Sequence, residues 1–351
     1  MAANDDSSGT VFTRAQARAG GLSDRQIDRQ LASGTLTAAR RGVLCPSNPD
    51  QDSSTEPGGH TEPGTALTDV PLQIKAAQLA SPSRELVVSH TSAARLWGLP
   101  SPLGGWPLPE FTAASGTTRR RRGLHVRVAE LLDDDLVEQL GTTVTSPART
   151  VADCLRSLPG RDGLAMADAA LRRNLVTESA VLEVLHRQSG WPGVSVARQV
   201  FKLADRHRES PLESWSAWAF AHTGVPAPDW QMNVRDADGR RLGRVDCWWA
   251  LGAVVGEADG RAKYALATAE RGGSAEALLD VLQAERRREQ RLRAVGADVI
   301  RWSADDVLDS TAAQALAQRI LAAISLGRRS ARFTGVVAPV MRPVATEKPG
   351  E

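Results

Sequence analysis

One stretch, Arg244 to Tyr264 (RVDCWWALGAVVGEADGRAKY), constrains what this chain can fold into more than any other. Its flanks alternate as strands do, and Ala250-Leu251-Gly252-Ala253 is the natural turn between them. A hairpin closing on those residues pairs Trp249 with Val254 and sets Asp246 opposite Glu257, because loop length fixes the register. Opposed residues share a face, and side chains repeat every second residue, so Glu257 and Asp259 fall on that face too. Three carboxylates on one small patch repel unless a cation or a proton compensates. The pattern asks for a divalent metal.

The neighbours of this hairpin define a domain over residues 205–326. Ser210-Pro211-Leu212-Glu213 starts a helix that ends near Gly224; Ser210 as N-cap, Pro211 at the first helical position and Glu213 three residues on make a capping box. A strand follows at Gln231 to Val234, then an Asp236-Ala237-Asp238-Gly239 turn and the two strands of the hairpin. Ala275 to Val295 reads as a long helix, Asp298 to Trp302 as a strand, and Ala304 onward as another helix. A helix joining the Glu257 strand to the Val299 strand implies a right-handed parallel crossover, hence an α/β layered domain with a mixed sheet. The tail, 327–351, is rich in Arg and Pro without periodicity and is expected to be disordered.

Upstream, residues 11–46 outline a small winged helix-turn-helix. Thr13 to Ala19 suits a short helix, Gly20-Gly21 a tight turn, and Ser23-Asp24-Arg25-Gln26 the capping box of a second helix with Ile27 and Leu31 on one face. The opposite side shows Arg25, Arg29 and Gln30, which can reach base edges and phosphates, and Arg40-Arg41-Gly42 falls where a wing would lie. The alternative is a helical hairpin with a solvated charged face. Residues 47–71, dominated by Ser, Asp, Thr, Pro, Gly and Glu, read as a disordered linker. Residues 72–204 form a mixed α/β middle region, with strands near Leu86 to Val88, Pro109 to Ala114, Leu124 to Val128 and Thr142 to Thr145, and helices from Ser146 on. Within it, Arg119 to Arg122 read as a solvated loop, and His90 as a capping or core residue.

The chain of 351 residues is long enough for two or three domains. Its net charge of +2 is nearly neutral, and although 39 of its 43 basic residues are arginine, the cation suited to phosphate, that excess could equally reflect genome composition. Cys45, Cys154 and Cys247 are widely spaced, which excludes a disulfide framework or a cysteine metal cluster. No apolar run reaches bilayer length and the N-terminus is polar and acidic, so a cytoplasmic protein with no membrane partner is expected.

The arrangement Glu213, Asp246, Glu257-Ala258-Asp259-Gly260, then Glu285 and Arg288 on the helix, Gly296 and Arg301-Trp302 resembles the PD-(D/E)xK nuclease fold, in particular its very-short-patch-repair-endonuclease-like branch. Phe12-Thr13-Arg14 with Arg40-Arg41-Gly42-Val43, Ser89-His90-Thr91-Ser92-Ala93-Ala94, Thr145-Ser146-Pro147-Ala148-Arg149-Thr150 and Ser210 to Ser214 extend the resemblance. Together they are similar to actinobacterial proteins that join an AbiEi-antitoxin-like winged helix to such a nuclease-like domain, covering about residues 11–45 and 75–320.

The resemblance implies a DNA-binding protein with a Mg2+-dependent endonuclease-like C-terminal domain. Asp246 and Glu257 would be the metal ligands and Asp259 and Glu213 would assist. Arg25, Arg29, Gln30, Arg40 and Arg41 would contact DNA. The nuclease pattern expects lysine two residues after its second acid, where this chain has Asp259, so the charge-stabilising role would fall to Lys263. The alternative is an AbiEi-like antitoxin and transcriptional regulator, partnered by a cognate toxin, whose nuclease fold is catalytically degenerate.

Overall fold

A computed structural model describes residues 11–40, 42–47, 70–79, 86–121, 124–139, 141–259, 275–330 and 332–340. It is a mixed α/β protein with three sheets among the described residues, and it divides into two compact units. The first comprises the residues up to Leu158 together with Leu175–Val194; the second comprises Pro159–Asn174 and the residues from Ser195 onward. In this division the segment Pro159–Asn174 goes with the C-terminal residues.

The first unit begins with β1 (Phe12–Thr13), α1 (Arg14–Ala19), α2 (Asp24–Ala32), β2 (Leu36–Arg40) and β3 (Val43–Pro46). Both helices start on complete capping boxes, Thr13 with Gln16 and Ser23 with Gln26, which satisfy backbone N–H groups that the first turn leaves unpaired. The strands form an antiparallel sheet in the order β1-β3-β2, and Ala17, Ile27, Leu36 and Leu44 make the core beneath the helices. Of the linker expected over 47–71, residues 48–69 lie outside the described residues.

Next come α3 (Val70–Leu79), β4 (Val87–Val88), α4 (His90–Leu96), β5 (Glu110–Ala113), β6 (Arg119–Arg121), β7 (Leu124–Val128), β8 (Leu136–Gln139) and β9 (Thr142–Thr145). The strands form a six-stranded mixed sheet in the order β6-β7-β5-β4-β9-β8. The arginine run is therefore an edge strand over Arg119–Arg121 rather than a loop, paired antiparallel with β7. The helices α5 (Pro147–Ser157), α6 (Gly160–Arg172), α7 (Glu178–Arg187) and α8 (Val194–Phe201) follow, with α6, and α8 from Ser195 on, in the second unit.

The second unit continues with α9 (Pro211–Thr223), β10 (Asp229–Arg235), β11 (Arg241–Trp249), β12 (Val254–Ala258), α10 (Ala275–Ala294), β13 (Asp298–Trp302), α11 (Asp305–Leu308), α12 (Ser310–Ser330) and β14 (Val336–Pro339). Its sheet runs β13-β12-β11-β10-β14; β12 and β13 are parallel, as a helical crossover requires, and the other pairs are antiparallel. One cluster of the core packs Leu292 of α10 against Val234, Val245, Trp248, Val255 and Val299. Phe220, Trp249 and Trp302 stack edge to face elsewhere in the unit, with ring centroids 5.4–5.6 Å apart for the two pairs that include Phe220. Of the tail expected to be disordered, the described part is ordered: α12 runs on to Ser330, and β14 adds to the sheet along β10, while residues 331 and 341–351 lie outside the described residues.

Candidate functional site

The hairpin register is the one the turn dictates. Ala250–Gly252 form a short 3-10 turn, Ala253 takes the left-handed conformation at φ 51°, and Trp249 pairs with Val254 and Cys247 with Gly256. Continuing that register by one residue sets Asp246 opposite Glu257. Both acids are buried, at 9% and 2% exposure, so each needs a hydrogen-bonding or charged partner. The Ala258 N–H donates to Asp246 Oδ2 at 2.9 Å, and Arg288 Nη2 of α10 donates to Glu257 Oε1 at 2.6 Å.

Glu213 lies in the first turn of α9, with its carboxylate turned inward. Its Oε1 accepts the Ser210 hydroxyl at 2.8 Å, and its Oε2 accepts the Glu209 N–H at 3.0 Å and the Gln231 side-chain amide at 2.9 Å. Burial, reinforced by the charge of Asp246, raises its pKa above the usual carboxylate value. Glu213 is thus both a helix cap and an electrostatic neighbour of Asp246. Gln231 sits in β10 with a left-handed backbone, φ 56°, rarely adopted by a residue other than glycine. Arg244 Nε donates to Gln231 Oε1 at 2.6 Å, and Arg244 also pairs with Glu209. A line of polar contacts therefore runs from Arg244 through Gln231 to Glu213. Nothing local in the sequence marks Gln231 for this: it stands in a strand pattern where a buried amide has no signature.

At the other end of β12, the Asp259 N–H donates to the Trp302 carbonyl at 2.9 Å, and the Asp259 carboxylate lies 3.4 Å from Arg301. Arg301 donates to Glu285 at 2.5 Å, and Arg288 donates to the same carboxylate at 2.7 Å. Burial disfavours the Glu285 charge, yet Arg288 and Arg301 together hold its pKa below the usual value. The two guanidiniums are in turn kept charged against burial, Arg288 by Glu257 first and Arg301 by Glu285 first. Lys263 lies outside the described residues. Among the described residues, no group of three or more His, Cys, Asp or Glu side chains is placed to hold a metal ion.

In the first unit, Arg25 and Arg29 of α2 are exposed and Gln30 is half-buried, while Arg14 is tied to Asp28 and, at 3.5 Å, to Asp24. Arg40 ends β2; its side chain and the whole of Arg41 lie outside the described residues. His90 is a buried core residue at the start of α4, as expected of it. No helix among the described residues is long and apolar enough to cross a membrane.

No protein-family model matches the chain. Over 109 residues it is 32% identical to the uncharacterized proteins MT2308 and Rv2248 of two Mycobacterium tuberculosis strains, CDC 1551 / Oshkosh and H37Rv. That match spans 31% of this chain and 40% of the length of those relatives. Among solved structures, the chain is similar to the RV2827C protein from Mycobacterium tuberculosis, at 14% identity and a TM-score of 0.38, over 60% of this chain and 76% of that one.

Proposed function

We propose that this chain acts on DNA, with a C-terminal unit built as a metal-dependent phosphodiester hydrolase of the restriction-endonuclease-like kind. The observation that carries the reading is the two buried acids Asp246 and Glu257 on the paired strands β11 and β12. That pair sits in a unit ordered as helix, three antiparallel strands, helix and parallel strand. Two carboxylates suit Mg2+, which commonly takes one or two from the protein and completes its shell with water and substrate phosphate. Asp246 and Glu257 would hold the ion, and when bound it supplies Lewis-acid polarisation and a more acidic water. The chain's own residues set up that chemistry. Asp246 is oriented by the Ala258 N–H, and Glu213, held by Ser210, Glu209 and Gln231, adds its carboxylate as an electrostatic neighbour of Asp246. The expected assignments of Asp259 as a helper and Lys263 as the charge-stabilising group remain part of this proposal. In the first unit, α1, α2 and the β2-β3 hairpin are taken as a winged helix presenting Arg25, Arg29 and Gln30 to the major groove, with Arg40 and Arg41 on its wing.

A specific observation favours a second reading, a DNA-binding regulator of the antitoxin kind on a catalytically silent scaffold. Asp259 stands where a lysine is expected and faces Arg301, so that position lacks an amine to hold the attacking water. One experiment separates the two. Purified protein is incubated with supercoiled DNA with Mn2+, with Mg2+ or with chelator, beside Asp246→Asn and Glu257→Gln variants, and retention of a linear fragment is followed in parallel. Metal-dependent nicking lost in both variants is the expected result. Retention without nicking, weakened by Arg25→Ala with Arg29→Ala, would favour the regulator. Nicking that persists in both acid variants removes the hydrolase assignment.

A further inference from the structure

The second acid of the pair already has a cation. Arg288 reaches from α10 to Glu257 Oε1 at 2.6 Å, donates to Glu285 Oε1 at 2.7 Å, and also donates to the Arg244 carbonyl. The Glu257 side chain is only 3% exposed, so its charge must be compensated from within the protein. The path of the guanidinium is built into the sheet. A Cβ on Gly243 of β11 would stand 2.8 Å from Arg288 Nε and 3.3 Å from its Cδ, so glycine there makes room for the arginine. Glu285 is shared with Arg301 and keeps a second hold on Arg288. An arginine that lets go of Glu257 therefore has a carboxylate to stay on.

Resting on the hydrolase reading above, we infer that Arg288 is a resident counter-cation that competes with a divalent ion for Glu257, so that metal entry and the Arg288–Glu257 pair exclude each other. A divalent ion and a guanidinium on one buried carboxylate repel each other in a medium of low dielectric, where unit charges at such distances interact strongly. The affinity of the site for metal is then set by Arg288 as well as by the acids. An incoming phosphate, which guanidinium groups bind well, is the chemical class of ligand able to draw Arg288 off and admit the metal. Arg288 is thus a positioning residue, acting through Glu257.

Calorimetric titration of Mn2+ into the full chain, without DNA, tests this directly. The expected result is weak binding by the wild type, binding tighter by roughly tenfold in Arg288→Gln, and none in the Arg288→Gln, Glu257→Gln double variant. Gly243→Ala, which crowds Arg288 while keeping its charge, should shift affinity in the same direction by less. It provides a second route should Arg288→Gln fail to fold, as judged by circular dichroism. Unchanged or weaker Mn2+ binding in Arg288→Gln and Gly243→Ala, with the wild type binding measurably, overturns the competition alone. Absence of Mn2+ binding in every variant overturns the metal-site reading and the inference with it.

Discussion

At the scale of single residues, the first unit holds a titratable group whose behaviour follows from where it sits. His90 is 2% exposed, has a left-handed backbone at φ 52°, and its Nδ1 lies 2.9 Å from the Ser89 hydroxyl, which also accepts from Thr112 at 2.8 Å. Burial lowers its pKa from 6.5 to about 4, more than Asp153 and Glu110 raise it, with Arg127 and Arg156 adding to the lowering. Between those two pH values the unfolded chain binds a proton that the native state does not. Stability contributed by neutral His90 is therefore present above the unfolded pKa and lost as pH falls towards about 4. Asparagine tolerates the left-handed region and takes up no proton. The His90→Asn variant should consequently show a shallower fall in unfolding midpoint than the wild type between about pH 7 and pH 4.5. Parallel midpoint curves for the two proteins would remove His90 as the cause.

At the scale of elements, two glycines decide how closely α12 approaches the hairpin. A Cβ on Gly252 would lie 2.4 Å from the Ile324 Cα, and one on Gly327 would lie 1.8 Å from the Gly252 carbonyl oxygen. These are backbone contacts with no flexible side chain to give way. Gly252→Ala should lower stability by about 1–3 kcal/mol, the usual cost of overpacking, and thermal unfolding would measure it. A midpoint within error of the wild type would mean that the turn moves away at no cost. Because Gly252 stands in the turn that fixes the Asp246 register, the same variant also asks how tightly the acid pair is tied to the packing of α12. Internal strands and capped helices were legible in sequence, since burial imposes alternation and unpaired N–H groups demand Ser or Thr caps. The edge strands β6 and β14 were not. Arg119–Arg121 carries no apolar alternation, and Val336–Pro339 is a short run in a tail rich in Arg and Pro, so neither bears the signature that burial on one face writes into a strand.

At the scale of the whole molecule, the two units interleave along the chain. Helix α6 packs with α9 in the second unit, where Asp168 accepts from Arg208 at 2.6 Å and from Ser214 at 2.7 Å, and where a Cβ on Gly160 would overlap the Trp218 ring. A fragment beginning at residue 205 therefore leaves Arg208, 6% exposed in the full chain, without its buried carboxylate. A fragment of residues 159–351 should unfold cooperatively with ordered tryptophan near-UV dichroism, and one of 205–351 should not. Equal cooperativity in both would show that α6 is dispensable to that unit. The sequence does not mark α6 for that unit, because α6 has the same amphipathic pattern as its neighbours, and periodicity says which face is buried without saying against what.

The sequence by itself determined the hairpin register, since four turn residues leave one way to align the alternating flanks, pairing Trp249 with Val254 and Cys247 with Gly256. It also determined the capping boxes and the helical crossover to a parallel strand. Only the tertiary structure decided which partners the buried acids have. Arg288 lies 31 residues from Glu257 in sequence, and Gln231 lies 18 from Glu213. Contacts of that range are set by how α9 and α10 pack on the sheet, and side-chain chemistry alone does not select one arginine among 39.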